Sequence, residues 1–383
     1  MNVVFHQKRL SFLIQRIGIA LLGFLLIASC PQVSFAQSFD FGTLSYNGFP
    51  GVSSGTSLHF GPDGRLYVLQ LNGHIKIYTI TRTGQALYQV TAYQEILTVK
   101  NIPNHDDFGG AITRSIREAT GIIVGGTAAS PVIYVSSSDG EWGGPNGDTN
   151  LDTNSGIITQ ISWTGSVWQT IDLVRGLPRS EENHATNNME LVNITGTKYL
   201  IVCSGGFTNA GAPSNNLAYI TEYALSAAIL AVNVDMLNSM PTLTDPVSGR
   251  MYKYDLPTLD DPTRANVNGI YNPNQPGYSG VDVNDPWGGN DGLNQPILQV
   301  SGPVQMFSPG YRNTYDLVVT EAGKVYVTDN GANGGWGGLP EGEGNNAALV
   351  SNAYNPAEPG SSSNVNGEKV DNVDHLDYIT SDI

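Results

Sequence analysis

The chain has 383 residues, of which 14% are charged, and it carries 45 glycines, 21 prolines and a net charge of −16. Such acidity excludes a surface built for nucleic acid or anionic lipid, both of which need clustered Lys and Arg. Its two cysteines, Cys30 and Cys203, give no disulfide framework, so stability has to come from a core, and the glycine and proline content favours short strands and turns over helices.

The first segment reads as an export signal, a signal peptide spanning residues 1–36. Lys8, Arg9 and Arg16 precede an apolar run from Ile17 to Ala28, and small residues end at Ala36. The run is too short to span a bilayer comfortably. Ile27-Ala28-Ser29-Cys30 also fits a lipidation site at Cys30, so the destination is periplasmic, extracellular or cell-surface by either route. Cleavage after Ala36 removes three cations and no acids, taking the net charge to −19.

Residues 37–383 are expected to form one all-β unit. Leu58 to Val68 reads strand, Pro62-Asp63-Gly64 turn, strand. The pattern returns around Tyr134, Tyr199 and Tyr326, at spacings of 67, 65 and 127 residues from Tyr67 onward. A unit of about 65 residues suits a four-stranded propeller blade with loop insertions. The copy expected near residue 262 reads as a blade diverted into a long loop, from Tyr252 to Gln295. Tyr219 to Leu230 fits a short helix almost as well as a strand. The period predicts about five blades of a six-bladed type of propeller, lacking its closing part.

Several constellations could carry chemistry. Asp148, Asn150 and Asp152 place oxygen side chains at alternate positions, as do Asp282 to Asp285, which suits Ca²⁺; neither loop completes an EF-hand, since Thr153 stands where glycine is required. Leu177-Pro178-Arg179-Ser180-Glu181-Glu182-Asn183-His184 puts a histidine at the start of an inner strand. There a neutral imidazole can accept a proton from a substrate hydroxyl, or the ring can simply pair with Glu181 or Glu182. Arg312 and Asn313, after Gly310, offer a planar fork and an amide to a carbonyl-rich, anionic ligand. Finally, the glycine-rich loop Asp329 to Gly338 exposes backbone carbonyls at Gly331 and Ala332, and Trp336 could stack on a ring.

In order and spacing, the Phe-Gly-Pro-Asp-Gly-Arg-Leu-Tyr-Val turn, Leu-Pro-Arg-Ser with its following histidine, and Gly310-x-Arg312-Asn313 before a blade and a Gly-rich loop resemble the soluble glucose/sorbosone dehydrogenase family. The resemblance covers roughly residues 55–335 and implies a six-bladed propeller that binds pyrroloquinoline quinone (PQQ) and Ca²⁺ and oxidises the anomeric carbon of a sugar. It implies His184 as the catalytic base, Arg312 and Asn313 as cofactor-binding residues, to which the residue reading adds Trp336, and the Gly331 and Ala332 carbonyls as Ca²⁺ ligands. Tyr315 stands where the family has glutamine. Gly205-Gly206 replaces the carboxylate that would orient the histidine. Two readings therefore remain open: a PQQ-linked sugar dehydrogenase, and a non-catalytic propeller that binds glycans or a partner protein at the cell surface.

Overall fold

The computed structural model describes residues 41–105, 111–112, 117–140, 153–209, 211, 217, 222–245, 248–260, 294–296, 298–333 and 374–379. The segment read as an export signal, with Cys30, both acidic loops (148–152 and 282–285) and Trp336 lie outside these residues. Residues 41–43 and the hairpin tip Gly84–Leu87 form a small unit, joined by the Thr43 N–H donating to the Ala86 carbonyl at 2.8 Å. Everything that follows, apart from the strand-end residues Gly84 and Leu87, belongs to the other unit.

That unit is a propeller-like ring of blades, and four are present among the described residues. Blade 1 comprises Gly55–Phe60, Leu66–Gln70, Ile75–Gly84 and Leu87–Ile96, and blade 2 Arg117–Gly126, Pro131–Asp139, Gly156–Trp163 and Trp168–Leu177. Blade 3 comprises Thr186–Ile194, Thr197–Ser204, Ala228–Asn233 and Val304–Pro309, and blade 4 Thr314–Val319, Val325–Asp329 and His375–Ile379. Tyr67, Tyr134, Tyr199 and Tyr326 all fall on the second strand of their blade.

The repeated turn is the same structure twice. In blade 1 the Gly61 N–H donates to the Arg65 carbonyl at 2.9 Å and the Gly64 N–H to the Gly61 carbonyl at 2.9 Å; in blade 4 Thr320 and Gly323 make the corresponding bonds at 2.8 and 2.9 Å. Gly64 and Gly323 sit at φ +74° and +75°, a region that favours glycine. The blade 1 turn is locked further by Asp63, which accepts from Arg65 Nε at 2.5 Å and from the Tyr67 hydroxyl at 2.9 Å.

Alternation along the strands supplies two cores per blade. In blade 2, Ile122, Val124, Ile133, Val135, Ile157 and Ile161 pack towards Tyr67, Leu69, Ile75 and Ile77 of blade 1. The intervening Ile123, Tyr134 and Ile158 face Leu200, Val202, Leu230 and Val232 of blade 3. Blade 3 then turns Ile201, Cys203 and Ile229 towards Leu317, Val325 and Val327 of blade 4. Each fully buried aliphatic side chain contributes about 1.5–3 kcal/mol.

The doubled spacing between Tyr199 and Tyr326 has a different cause from the one expected. Blade 3 is whole, and the extra residues are an insertion between its third and fourth strands. The insertion leaves and returns at one point, where the Asn233 N–H donates to the Pro303 carbonyl at 2.8 Å. Its first element is a helix, Val234–Ser239, capped by Asn233, whose side chain accepts from the Met236 N–H at 2.9 Å. Of the candidate helix at Tyr219 to Leu230, the described residues 222–230 are not helical: Ile229 and Leu230, with Val232 after them, alternate between two cores and form a strand.

The insertion next covers an edge that would otherwise be open. Met251–Asp255, part of the stretch read as a diverted blade, pairs in parallel with the outer strand of blade 2, and Leu243–Thr244 extends the sheet. Arg175, almost fully buried, clamps this addition. It donates to Asp255 Oδ1 and Oδ2 at 2.6 and 2.8 Å and to Asp245 Oδ2 at 2.8 Å, and its guanidinium lies 3.7 Å from the Tyr252 ring centroid. Arg250 makes a second fork to Asp172, at 2.8 and 2.7 Å.

Removing one side of a buried, satisfied ion pair strands the other charge, at about 3–5 kcal/mol. Arg175→Ala is therefore expected to lower unfolding stability by about 3 kcal/mol in urea titrations, and a change below about 1 kcal/mol would show that the clamp contributes little.

Candidate functional site

The histidine loop is organised around a buried arginine. Arg179, fully buried, donates to the carbonyls of Ser180 at 2.7 Å, Glu182 at 2.6 Å and Asp139 at 3.4 Å, and pairs with Glu118 at 3.0 Å. Ser180 completes the loop by accepting from the N–H groups of Glu182 at 3.2 Å and His184 at 3.0 Å. An arginine that satisfies inward-turned carbonyls fixes the backbone without spending its charge on solvent. The loop delivers His184, itself buried, to the start of the inner strand of blade 3.

The imidazole does not pair with Glu181 or Glu182. Its Nδ1 lies 2.7 Å from the Gly206 carbonyl oxygen. A carbonyl can only accept, so Nδ1 carries the proton, and Nε2 holds a lone pair with no hydrogen-bond partner among the described residues. Burial pushes the His184 pKa down to about 3, with the charge of Arg312 and then that of Arg179 acting the same way against the Gly206 bond. The ring is thus neutral at ordinary pH.

Gly206 also holds Arg312. Its N–H donates to the Arg312 carbonyl at 2.7 Å. The backbone N–H groups of Arg312 and Asn313 both donate to Asp329, at 2.9 and 2.8 Å. The guanidinium reaches Asn209 Oδ1 from Nε at 3.1 Å and Asn330 Oδ1 from Nη1 at 2.7 Å, while Nη2 is buried with no partner among the described residues. Burial lowers the Arg312 pKa, and Asp329, Glu182 and Asp374 oppose that shift. Burial likewise raises the Glu182 carboxyl, against the pull of Arg179 and Arg312.

The glycine-rich loop joins the same assembly through Asn209, which accepts from the Asn333 N–H at 2.8 Å and donates to its carbonyl at 3.1 Å. The Gly331 N–H donates to Asp374 at 2.9 Å. Gly331, Ala332, Arg312, Asn209, Glu222 and Asp377 are among the residues lining a cleft of about 800 Å³. Arg312 is the only Lys or Arg among its described lining residues.

Chain-distant residues singled out in the sequence, His184, Arg312 and the Gly331 loop, are thus linked by hydrogen bonds through Gly206, Asn209 and Asn330. Asn313 departs from expectation: its side-chain oxygen accepts from Asn187 at 3.2 Å across the blade 3 to blade 4 boundary, and it does not line the cleft. His184 does not line it either; Arg312 connects the two, with its carbonyl on Gly206 and its side chain in the cleft wall. Cavities of about 540 and 600 Å³ against Trp168 and Asp316 contain neither residue. No group of three or more His, Cys, Asp or Glu is placed to hold a metal among the described residues.

Sequence reasoning missed the parts that hold this assembly: Asn209, Asp329, Glu222 and the structural use of Gly205-Gly206. The glycine pair was the available signal. A Cβ on Gly205 would stand 2.7 Å from both His184 Cβ and Asn313 Oδ1, and one on Gly206 would stand 2.8 Å from the Arg312 carbonyl oxygen. The pair thus marks a place where two loops close on one strand end.

No family model and no curated protein matches the sequence. Among solved structures, the fold is similar to a Trichoderma reesei carbohydrate-active enzyme of family AA12 solved with calcium, at 15% identity and TM-score 0.35, covering 74% of each chain. It is also similar to a glucose dehydrogenase described as a putative oxidoreductase from Thermus thermophilus, at 12% identity and TM-score 0.28, covering 73% of this chain and 91% of that one. A third likeness is to the PQQ-bound form of an aldose sugar dehydrogenase from Streptomyces coelicolor, at 13% identity and TM-score 0.28, covering 73% and 89%. Such distant likenesses carry no argument about ligand or activity.

A histidine kept neutral by the fold has a thermodynamic signature. The unfolded chain takes up a proton at His184 as pH falls below 6.5, and the folded chain does so only near 3, so stability attributable to this group is intact above pH 6.5 and is lost between 6.5 and about 3. Between pH 7 and 4.5 this loss should be roughly 2 to 3 kcal/mol. Urea titrations of His184→Gln should show a correspondingly shallower pH dependence; identical slopes would mean the ring titrates normally.

Proposed function

We propose that the protein is an exported sugar dehydrogenase that oxidises the anomeric carbon of an aldose, with His184 as base and PQQ and Ca²⁺ as cofactors. The observation that carries the reading is a neutral imidazole with its lone pair on Nε2 and an arginine with an unpartnered Nη2, both held through Gly206. A base and a fixed donor tied to the same glycine, Gly206, suit removal of a hydroxyl proton next to an oxygen that gains negative charge.

The residues fit the reacting end of such a cofactor. Arg312 Nη2 is a buried donor that lacks an acceptor, and an unmet buried donor costs about 1–3 kcal/mol until a ligand oxygen meets it. Asn209 and Asn330 hold the guanidinium in its plane, so the donor is oriented before any ligand arrives. Gly331 and Ala332, at the cleft wall, offer carbonyl oxygens of the hard type that Ca²⁺ prefers. The chemistry supplied by PQQ is acceptance of a hydride at a quinone carbonyl.

The chain's own contribution is proton handling. His184 Nε2 takes the proton of the anomeric hydroxyl, and the Gly206 carbonyl, already bonded to Nδ1–H, stabilises the imidazolium that forms. Burial keeps the base unprotonated until substrate arrives.

His184→Ala should lower the rate of dye reduction by at least about 100-fold with an aldose panel in the presence of PQQ and Ca²⁺, with cofactor binding retained. Arg312→Ala should instead weaken PQQ binding, read by fluorescence titration, by about tenfold. A protein that reduces no dye with any aldose, and that binds glycans without cofactor, would replace this reading with the non-catalytic one.

A further inference from the structure

The Gly206 carbonyl that fixes His184 belongs to the same planar peptide unit as the Phe207 N–H, and that N–H donates to Glu222. The carboxylate receives it on both oxygens, at 3.0 and 2.9 Å. It also accepts from the Thr208 N–H at 2.8 Å, the Thr208 hydroxyl at 2.7 Å and the Ser226 hydroxyl at 2.6 Å. One side of the peptide plane therefore meets a carboxylate and the other meets an imidazole N–H. The close approach requires glycine, since a Cβ on Gly206 would lie 2.9 Å from Glu222 Oε1 and 2.8 Å from the Arg312 carbonyl.

We propose that Glu222 is the positioning carboxylate of His184 and acts through the Gly206–Phe207 peptide. Hydrogen bonds in series polarise one another. A carboxylate on the N–H end draws that proton and leaves the carbonyl oxygen more negative, which strengthens its bond to Nδ1–H and raises the basicity of Nε2. The place where the sequence lacks an orienting acid, Gly205-Gly206, is thereby the place where a more distant acid is conducted to the ring. The charges bearing on the imidazole from the neighbouring elements are Arg312 and Arg179, both of which oppose its protonation. Glu222 offsets them without touching it. The catalytic consequence rests on the dehydrogenase reading; the relay itself is a property of the folded chain.

The test uses the full chain labelled with ¹⁵N-histidine and free of cofactor, with the His184 Nδ1–H resonance as the readout. In Glu222→Gln, which keeps the shape and loses the charge, that proton should move upfield and the Nδ1–H tautomer should lose population. Glu222→Asp, which keeps the charge on a shorter arm, should fall between Gln and wild type, and it decides the matter if the Gln variant fails to fold. An unchanged Nδ1–H resonance in a folded variant would overturn the relay. In the loaded enzyme, Glu222→Gln should lower kcat about tenfold with KM unchanged. A loss of thermal stability with no change in kcat would assign Glu222 a merely structural role and likewise overturn the proposal. If the resonance moves but wild type reduces no dye with any aldose, the relay stands and the dehydrogenase reading falls.

Discussion

The central strands of this ring are buried on both faces, and most of the structure follows from that constraint. A strand that serves two interfaces must supply apolar residues at odd and even positions alike, as Ile122, Ile123 and Val124 do, or Leu200, Ile201 and Val202. Apolar burial then dominates the energetics, at about 1.5–3 kcal/mol per large side chain against about 1 kcal/mol for a hydrogen bond. Burial on both faces cannot by itself select register. Polar residues at the inner strand starts supply that. Thr56 donates to the Ala119 carbonyl at 2.7 Å, Thr120 to the Thr186 carbonyl at 3.0 Å and Asn187 to the Thr314 carbonyl at 2.7 Å, each from one blade to the next. A shift of one residue would bury these groups without partners.

The repeat was legible because its punctuation is chemical. A turn that needs glycine at positive φ four residues after the strand has to show it, and Gly64 and Gly323 do. The four tyrosines marked the strand because aromatic residues suit a pleated, half-buried surface. Blade count was less legible. The insertion in blade 3 is close to one repeat long, so the tyrosine spacing stayed in phase across it, and Met251–Asp255 looks like a strand because it is one, added to blade 2. Nothing in a local pattern distinguishes a strand that founds a blade from one that covers another blade's edge.

For the candidate site, the sequence marked side chains and missed the scaffold between them. His184 and Arg312 stood out as scarce residue types beside glycine and proline. Asn209, Asp329 and Glu222 did not, because their role is to accept from backbone N–H groups and loop hydroxyls, a task that any carboxylate or amide in a turn could have. At Gly205-Gly206 the His184 ring meets a backbone carbonyl and not a carboxylate. The physical meaning of that contact changes once a peptide plane is known to lie between the ring and Glu222.

The same geometry explains how a histidine so reluctant to protonate could act as a base. Burial and two arginines hold its pKa near 3, which alone would make Nε2 a weak acceptor. The arginines cannot be dispensed with, since Arg179 shapes the loop and Arg312 faces the cleft. An acid in direct contact with the ring would meet Arg312 at close range, and the two would neutralise each other as an ion pair instead of acting on the imidazole. Placing the carboxylate one peptide away separates these demands: Glu222 is occupied by N–H and hydroxyl donors, Arg312 keeps Nη2 unspent, and the ring receives only the polarisation of the carbonyl. On this view the glycine pair is the condition for having a charged donor and a supported base at the same site.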